Sequence, residues 1–284
     1  ENGSGYMKDT WTRDASRWTQ EHPAAGPSER TGHAMVYDAA RGQVVLFGGG
    51  KPSPYLTRDS TLDDTWVWDG SNWTRRSPAA SPSARFGHRM VYDAEHGVVV
   101  LFGGRNFDGF LDDTWVWDGS NWTQASPASS PPARCAPVMV YDAARNRTVL
   151  FGGWELDPNP IDLDDTWTWD GTDWTQQSPA EHPPAGSGHA AAYDAAQGHV
   201  VLYGGNETWS WNGSEWTLLD LLPGPASEGG HEMAYDAARG QVVLFGGQDS
   251  LGSVNETWVY DGTGWTRVET SPDARDQHAM AYDA

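Results

Sequence analysis

Apolar and polar positions alternate along this chain in runs of about five residues, and no stretch carries a helical period of useful length. Met35 and Tyr37 fall on one side of such a run and Val36 on the other; Trp66 and Trp68 oppose Val67 in the same way. Turn signals separate the runs. YDAARGQ and YDAEHGV set Asp and Gly between two β-rich segments, and WDGSNW and WDGTDW set Asp-Gly between aromatic ones. The first unit therefore predicts four strands, over residues 33–38, 43–47, 65–68 and 73–75. A sheet that is apolar on both faces must be covered on both. Radial stacking of sheets achieves this, with large aromatics of one sheet against aliphatics of the next.

The four-strand phrase recurs. Aligned on one position, His33, His88, Pro137, His189, His231 and His278 stand roughly 50 residues apart, the period of blade-forming repeats. The Gly pairs 48–49, 103–104, 152–153, 204–205 and 246–247 close each second strand, where a side chain would obstruct a sharp exit or a close backbone approach. Five copies are complete, and a sixth is split. Residues 9–19 carry its second half, DTWTRD…RWT, and residues 277–284 carry the start of its first half, QHAMAYDA. The expected fold is all-β, a six-bladed propeller forming one domain over 1–284. Its sixth blade is shared between the N- and C-termini and lacks its second strand. The expected blades cover 30–78, 85–127, 134–179, 186–223 and 228–272, with the sixth divided between 8–23 and 275–284.

The Gly-Gly doublet after VVLF, the Tyr in the first strand and the spaced Trp of the third and fourth strands resemble the kelch family of β-propellers. The resemblance covers essentially the whole chain and implies ring closure by a blade shared between the termini. It departs at blade 6, where no RGQVVLFGG equivalent is present. Two readings follow: the chain is a trimmed product, or a strand from a separate partner completes the blade by β-augmentation. The absence of an initiator Met before Glu1 also suggests processing or trimming.

Composition narrows the partners. Lys and Arg number 18 against 39 Asp and Glu, for a net charge of −21. Such a chain repels phosphate backbones and anionic membranes, which argues against nucleic acid and lipid surfaces as partners. No apolar run approaches the roughly 18 residues of a membrane helix. Cys135 is alone, so neither an internal disulfide nor a Cys-based zinc site can form. Seventeen Trp with abundant Gly, Pro, Ser and Thr suit a secreted, extracellular bacterial protein.

Most residues that look chemical are repeated in nearly every blade, which favours a scaffold role. His33, His88, His189, His231 and His278 could converge on a metal, but a shared backbone-bonding task explains a shared residue better. The acids before the first Trp (Asp64, Asp113, Asp165, Glu207, Glu256 and Asp9) read as turn caps. Arg30, Arg85, Arg134 and Arg275 precede the His position by three residues, with Gly186 and Glu228 replacing them in blades 4 and 5. The kelch resemblance implies that this arc could hold a carboxylate ligand; pairing with the acids of the DTW phrase is the structural alternative. Glu155, Asp157 and Asp162 are weak candidates for calcium, without EF-hand spacing.

The irregular loops after the Gly pairs carry more individual information. Blades 1 to 3 present Tyr55, Arg58, Phe107, Phe110 and Trp154, whereas blade 4 has no insertion. These residues could stack on sugar rings or anchor a peptide. The leading expectation is a binding module for a protein, peptide or glycan, without catalytic residues. A metal-dependent enzyme resembling kelch oxidases, mutarotases or lyase-like proteins is the alternative. A third reading is a structural subunit joined to its neighbours through the incomplete blade.

Overall fold

The computed structural model describes residues 7–13, 17–51, 53, 57–156, 159–219, 224–226, 229–268 and 272–282. The period-2 pattern becomes five four-stranded antiparallel sheets, each with its strands in chain order. Blade 1 is built from Ala34–Asp38, Gln43–Gly50, Thr61–Trp68 and Trp73–Arg76. The other blades run from first to fourth strand as Arg89–Asp93 to Trp122–Gln124, Val138–Asp142 to Trp174–Gln177, Ala190–Asp194 to Trp216–Leu219, and Glu232–Asp236 to Trp265–Val268. First strands of successive blades pack side by side from blade 1 to blade 5.

The core lies between blades rather than within one. Val45, Phe47 and Val67 of blade 1 pack against Met90, Val99, Leu101, Trp117 and Trp122 of blade 2. The same interleaving joins blades 2 and 3, 3 and 4, and 4 and 5. The same buried polar contact recurs at each of these interfaces: Trp122, Trp174, Trp216 and Trp265 donate their indole N–H to Thr65, Thr114, Thr166 and Thr208 of the preceding blade at 2.9 to 3.0 Å. A buried indole needs such an acceptor, and the β-branched Thr supplies it without leaving the strand.

The Gly pairs fit where the sequence requires them. Gly103 has φ 68°, and a Cβ there would stand 2.8 Å from the Arg134 carbonyl oxygen. That carbonyl accepts the Gly104 N–H at 2.8 Å, so the second strand of one blade is tied to the loop entering the next.

The sixth blade is a correction to the expected fold. Among the described residues the chain builds five blades, not six. Residues 8–23 yield only a two-stranded hairpin, Thr10–Arg13 with Trp18–Glu21, and residues 275–282 contain no strand. A shared sixth sheet is not formed, because a ladder needs a hydrogen-bonded neighbour and no second strand lies between these two pieces. The hairpin nevertheless sits against blade 1, where Trp73 donates its indole N–H to Thr10 at 2.9 Å, and against blade 5, where Trp18 packs on Phe245 at 5.3 Å. Between the hairpin, residues 275–282 and the facing sides of blades 1 and 5 lies a cavity of about 830 Å³.

Candidate functional site

Antiparallel strands place the loops after second strands and the loops entering first strands at one end of the ring. The arginine arc and the irregular insertions therefore share that end. The arginines are placed in ion pairs inside the wall. Arg85 and Arg134 are fully buried and Arg30 nearly so. Arg85 holds both carboxylate oxygens of Asp113 at 2.6 and 2.8 Å and also donates to the Gly103 carbonyl, the Ser83 carbonyl and the Ser83 hydroxyl. Arg30 grips Asp64 in the same bidentate way at 2.7 and 2.9 Å, and Arg134 grips Asp165 at 2.5 and 2.8 Å. Arg275 reaches Asp9 at 3.3 Å. These geometries commit the guanidinium donors to the protein itself.

The acids serve a second partner. Asp64, Asp113, Asp165 and Asp9 each accept the indole N–H of the Trp two residues on, at 2.6 to 2.7 Å. Burial alone would raise the Asp113 carboxyl; the Arg85 hydrogen bonds and charge and the Trp115 donor outweigh it, and the group lies below its usual range. Asp64, Asp165 and Asp9 are lowered by the same balance. Where Gly186 replaces the Arg, the longer Glu207 replaces the Asp and still accepts from Trp209 at 2.9 Å. The expected turn-capping role of these acids is thus a side-chain lock between Arg and Trp.

The insertions form a raised rim. Blade 2 projects a hairpin of Arg105–Asn106 with Gly109–Phe110, and blade 3 one of Trp154–Leu156 with Pro160–Asp162. Arg105 lies over three rings, Phe86 at 5.6 Å, Phe110 at 5.1 Å and Trp154 at 5.4 Å, while Phe110 and Trp154 meet edge to face at 4.8 Å. Phe110 and Trp154 are therefore half-buried parts of a stack that ties the two hairpins together. Arg58 lies over the Phe107 ring at 5.1 Å and holds Asp108 through two hydrogen bonds. Tyr55 lies outside the described residues.

Of the exposed apolar tips, the sequence pointed to Phe107 but not to Leu156, Ile161 or Leu251. Phe107, Leu156, Ile161 and Leu251 are 52, 53, 44 and 94% exposed. Leu251 caps a blade 5 hairpin, Gln248–Asp249 with Gly252–Ser253, that resembles those of blades 2 and 3. Blade 4, between them, turns directly from Gly204 to Glu207. The only signal for Leu156, Ile161 and Leu251 was the loop length after each Gly pair.

The remaining candidates separate. Burial drives the His33 and His278 imidazoles down to about 3 and His231 to about 4, and holds His88 well below its usual value, so all four are neutral wall residues. Among the described residues no three His, Cys, Asp or Glu side chains gather to hold a metal. Glu155 pairs across its hairpin with Ile161, and Asp162 with Trp154, so the two acids lie on opposite faces. Asp157 lies outside the described residues. Burial pushes the Cys135 thiol up to about 11.

One polar contact crosses the ring and was not anticipated. Arg89 of the blade 2 first strand reaches Glu232 of the blade 5 first strand at 2.7 Å and donates to the Pro137 carbonyl at 2.8 Å. The corresponding positions in blades 1, 3 and 4 are Ala34, Val138 and Ala190, which leave the room this pair spans.

Radial four-stranded sheets, Gly-Gly exits and Arg–Asp–Trp locks repeated from blade to blade define a repeat-built β-propeller. The KLHDC2/KLHL20/DRC7 Kelch-repeats domain matches residues 2–205, and the chain belongs to the kelch-repeat family.

Proposed function

We propose that this propeller is a protein-interaction module that engages its partner through the rim carrying the loops after second strands. Kelch propellers typically bind proteins, and the observation that carries this reading is the set of exposed tips Phe107, Leu156, Ile161 and Leu251 on one end of the ring. Apolar side chains that bracket a low blade 4 suit a protein or peptide segment laid across that blade. The buried arginines are tied to Asp64, Asp113 and Asp165, so carboxylate recognition is not the favoured chemistry. A glycan is the competing ligand, since Phe107 and Trp154 offer partly exposed ring faces.

Peptide and glycan arrays probed with the wild-type chain and with a Phe107→Ser, Leu156→Ser, Leu251→Ser variant test the reading. Peptide binding lost in the variant at unchanged melting temperature supports it. Binding only to glycans, or peptide binding that survives all three substitutions, overturns it.

A further inference from the structure

We propose that the segment this propeller binds across blade 4 is basic and seats an Arg or Lys side chain against Glu207; the inference rests on the interaction-module reading and adds the chemistry of the partner. Glu207 stands where the Arg–Asp–Trp lock has lost its cation. In blades 1 to 3 the acid before the first Trp is held by Arg30, Arg85 or Arg134. Glu256 has Arg267 at 3.1 Å, and Asp9 has Arg275 at 3.3 Å. Glu207 has no counter-ion among the described residues, and Gly186 stands where the Arg would be. The neighbouring sequence supplies no replacement, since no Lys or Arg occurs between Arg147 and Arg239. One carboxylate oxygen of Glu207 accepts the Trp209 indole N–H at 2.9 Å; the other receives no hydrogen bond among the described residues. The side chain is half-buried, where a carboxylate gains from a charged donor.

The His189 imidazole points to a donor at the same place. It is 5% exposed and lies in the space of missing side chains: a Cβ on Gly186 would stand 2.7 Å from its Cε1, and one on Gly204 would overlap its Cδ2. Gly204 and Glu207 are directly paired across the turn, so the imidazole and the carboxylate share one face of the blade. His189 Nδ1 donates to the Gly186 carbonyl at 3.2 Å, which leaves Nε2 as an acceptor. That Nε2 is buried and has no hydrogen-bond partner among the described residues. Burial keeps the imidazole neutral, while the charges of Asp162 and Glu207 both act on it. A guanidinium or ammonium carries several donors and no acceptor, which matches such a set.

The surroundings extend the match from one side chain to a segment. Asp162, Asp164 and Glu181 are exposed on the neighbouring loops. Leu156 and Ile161 on one side of blade 4 and Leu251 on the other offer apolar contacts. Basic residues interspersed with apolar ones complement that surface, and the net charge of −21 steers such a segment toward it.

Random peptides displayed on phage and selected on the protein test this. The selected peptides are expected to share an Arg or Lys beside apolar residues. Their synthetic forms should bind Glu207→Gln about tenfold more weakly than the wild type, at unchanged melting temperature, because Gln keeps an acceptor for Trp209. Replacing the shared basic residue by Gln should weaken binding to the wild type as much and binding to Glu207→Gln little, the coupling expected of a direct pair. Selected peptides without a shared basic residue, equal affinity for the wild type and Glu207→Gln, or additive losses overturn the proposal. So does a selection that yields no peptide. Weakened binding to Glu207→Gln with unchanged binding to Leu156→Ser and Leu251→Ser would instead sink the apolar rim and leave the cation seat standing.

Discussion

Arg89 and Glu232 meet across the ring at 2.7 Å, joining blade 2 to blade 5, which belong to separate sheets. Both side chains are mostly but not wholly enclosed, at 23 and 17% exposure, so the pair is partly screened by solvent.

Removing one member leaves the other enclosed without its counter-ion. Arg89→Met or Glu232→Leu should each lower stability by about 1–3 kcal/mol. The double replacement should recover much of that loss, since two apolar groups leave no stranded charge. A double-mutant cycle by denaturant unfolding checks this. Strict additivity of the single losses would show that the two residues do not interact.

The arginine ion pairs should rank by burial and geometry. Arg85→Met strands the Asp113 carboxylate in the wall and should cost about 3–5 kcal/mol. Arg275→Met breaks longer, 3.3 Å contacts to a more exposed partner and should cost roughly 1 kcal/mol. Arg58→Ala, at the exposed rim pair with Asp108, should change stability by less than about 1 kcal/mol. Urea midpoints of the three variants test the order, and comparable losses for Arg85 and Arg58 would contradict it.

Much of this fold was legible because each blade solves the same packing problem. The alternation at Met35, Val36 and Tyr37 and the Asp-Gly turns locate strands without any neighbour in view. The phase of the repeat likewise exposed Arg85 and Asp113 as recurring residues. What pattern alone could not decide was their relationship. A recurring Arg is equally consistent with a ligand arc and with a lock, and only the burial of Arg85 beside Asp113 separates them. The expected sixth blade failed for a related reason. Sequence similarity to a strand is not a strand unless a ladder partner is adjacent, and residues 279–282 have none among the described residues. Arg89 and Glu232 were invisible because they break the repeat on opposite sides of the ring, where no spacing along the chain connects them. The exposed Leu251 was hidden by a short loop without aromatic residues.

The Trp–Thr staples should be separable from the apolar packing around them. Thr114→Val keeps the shape of the side chain but removes the acceptor for the buried Trp174 indole N–H. The expected loss is about 1–3 kcal/mol, the range for stranding a buried donor, with little change in structure. Thr12→Val, whose hydroxyl instead bonds Glu21 at the exposed edge of the hairpin, should cost far less. Thermal unfolding of the two variants tests the contrast.

Stability should fall with acidity earlier than carboxylate titration alone would cause. His33, His231 and His278 are neutral in the folded wall because burial lowers them to about 3, 4 and 3, whereas in the unfolded chain they take up a proton near the ordinary value of about 6.5. Between those limits the unfolded chain binds more protons, so each fall in pH favours unfolding. The stabilisation is complete above about pH 6.5 and is lost progressively toward pH 3 to 4. The carboxyls of Asp64, Asp113 and Asp165, also lowered, add to the loss only as pH falls through and below their ordinary 3.8. Melting temperature should therefore begin to drop between pH 6.5 and 5, and His278→Asn should make that part of the curve shallower. A melting temperature that holds level down to pH 4.5 would mean that these imidazoles titrate alike in both states.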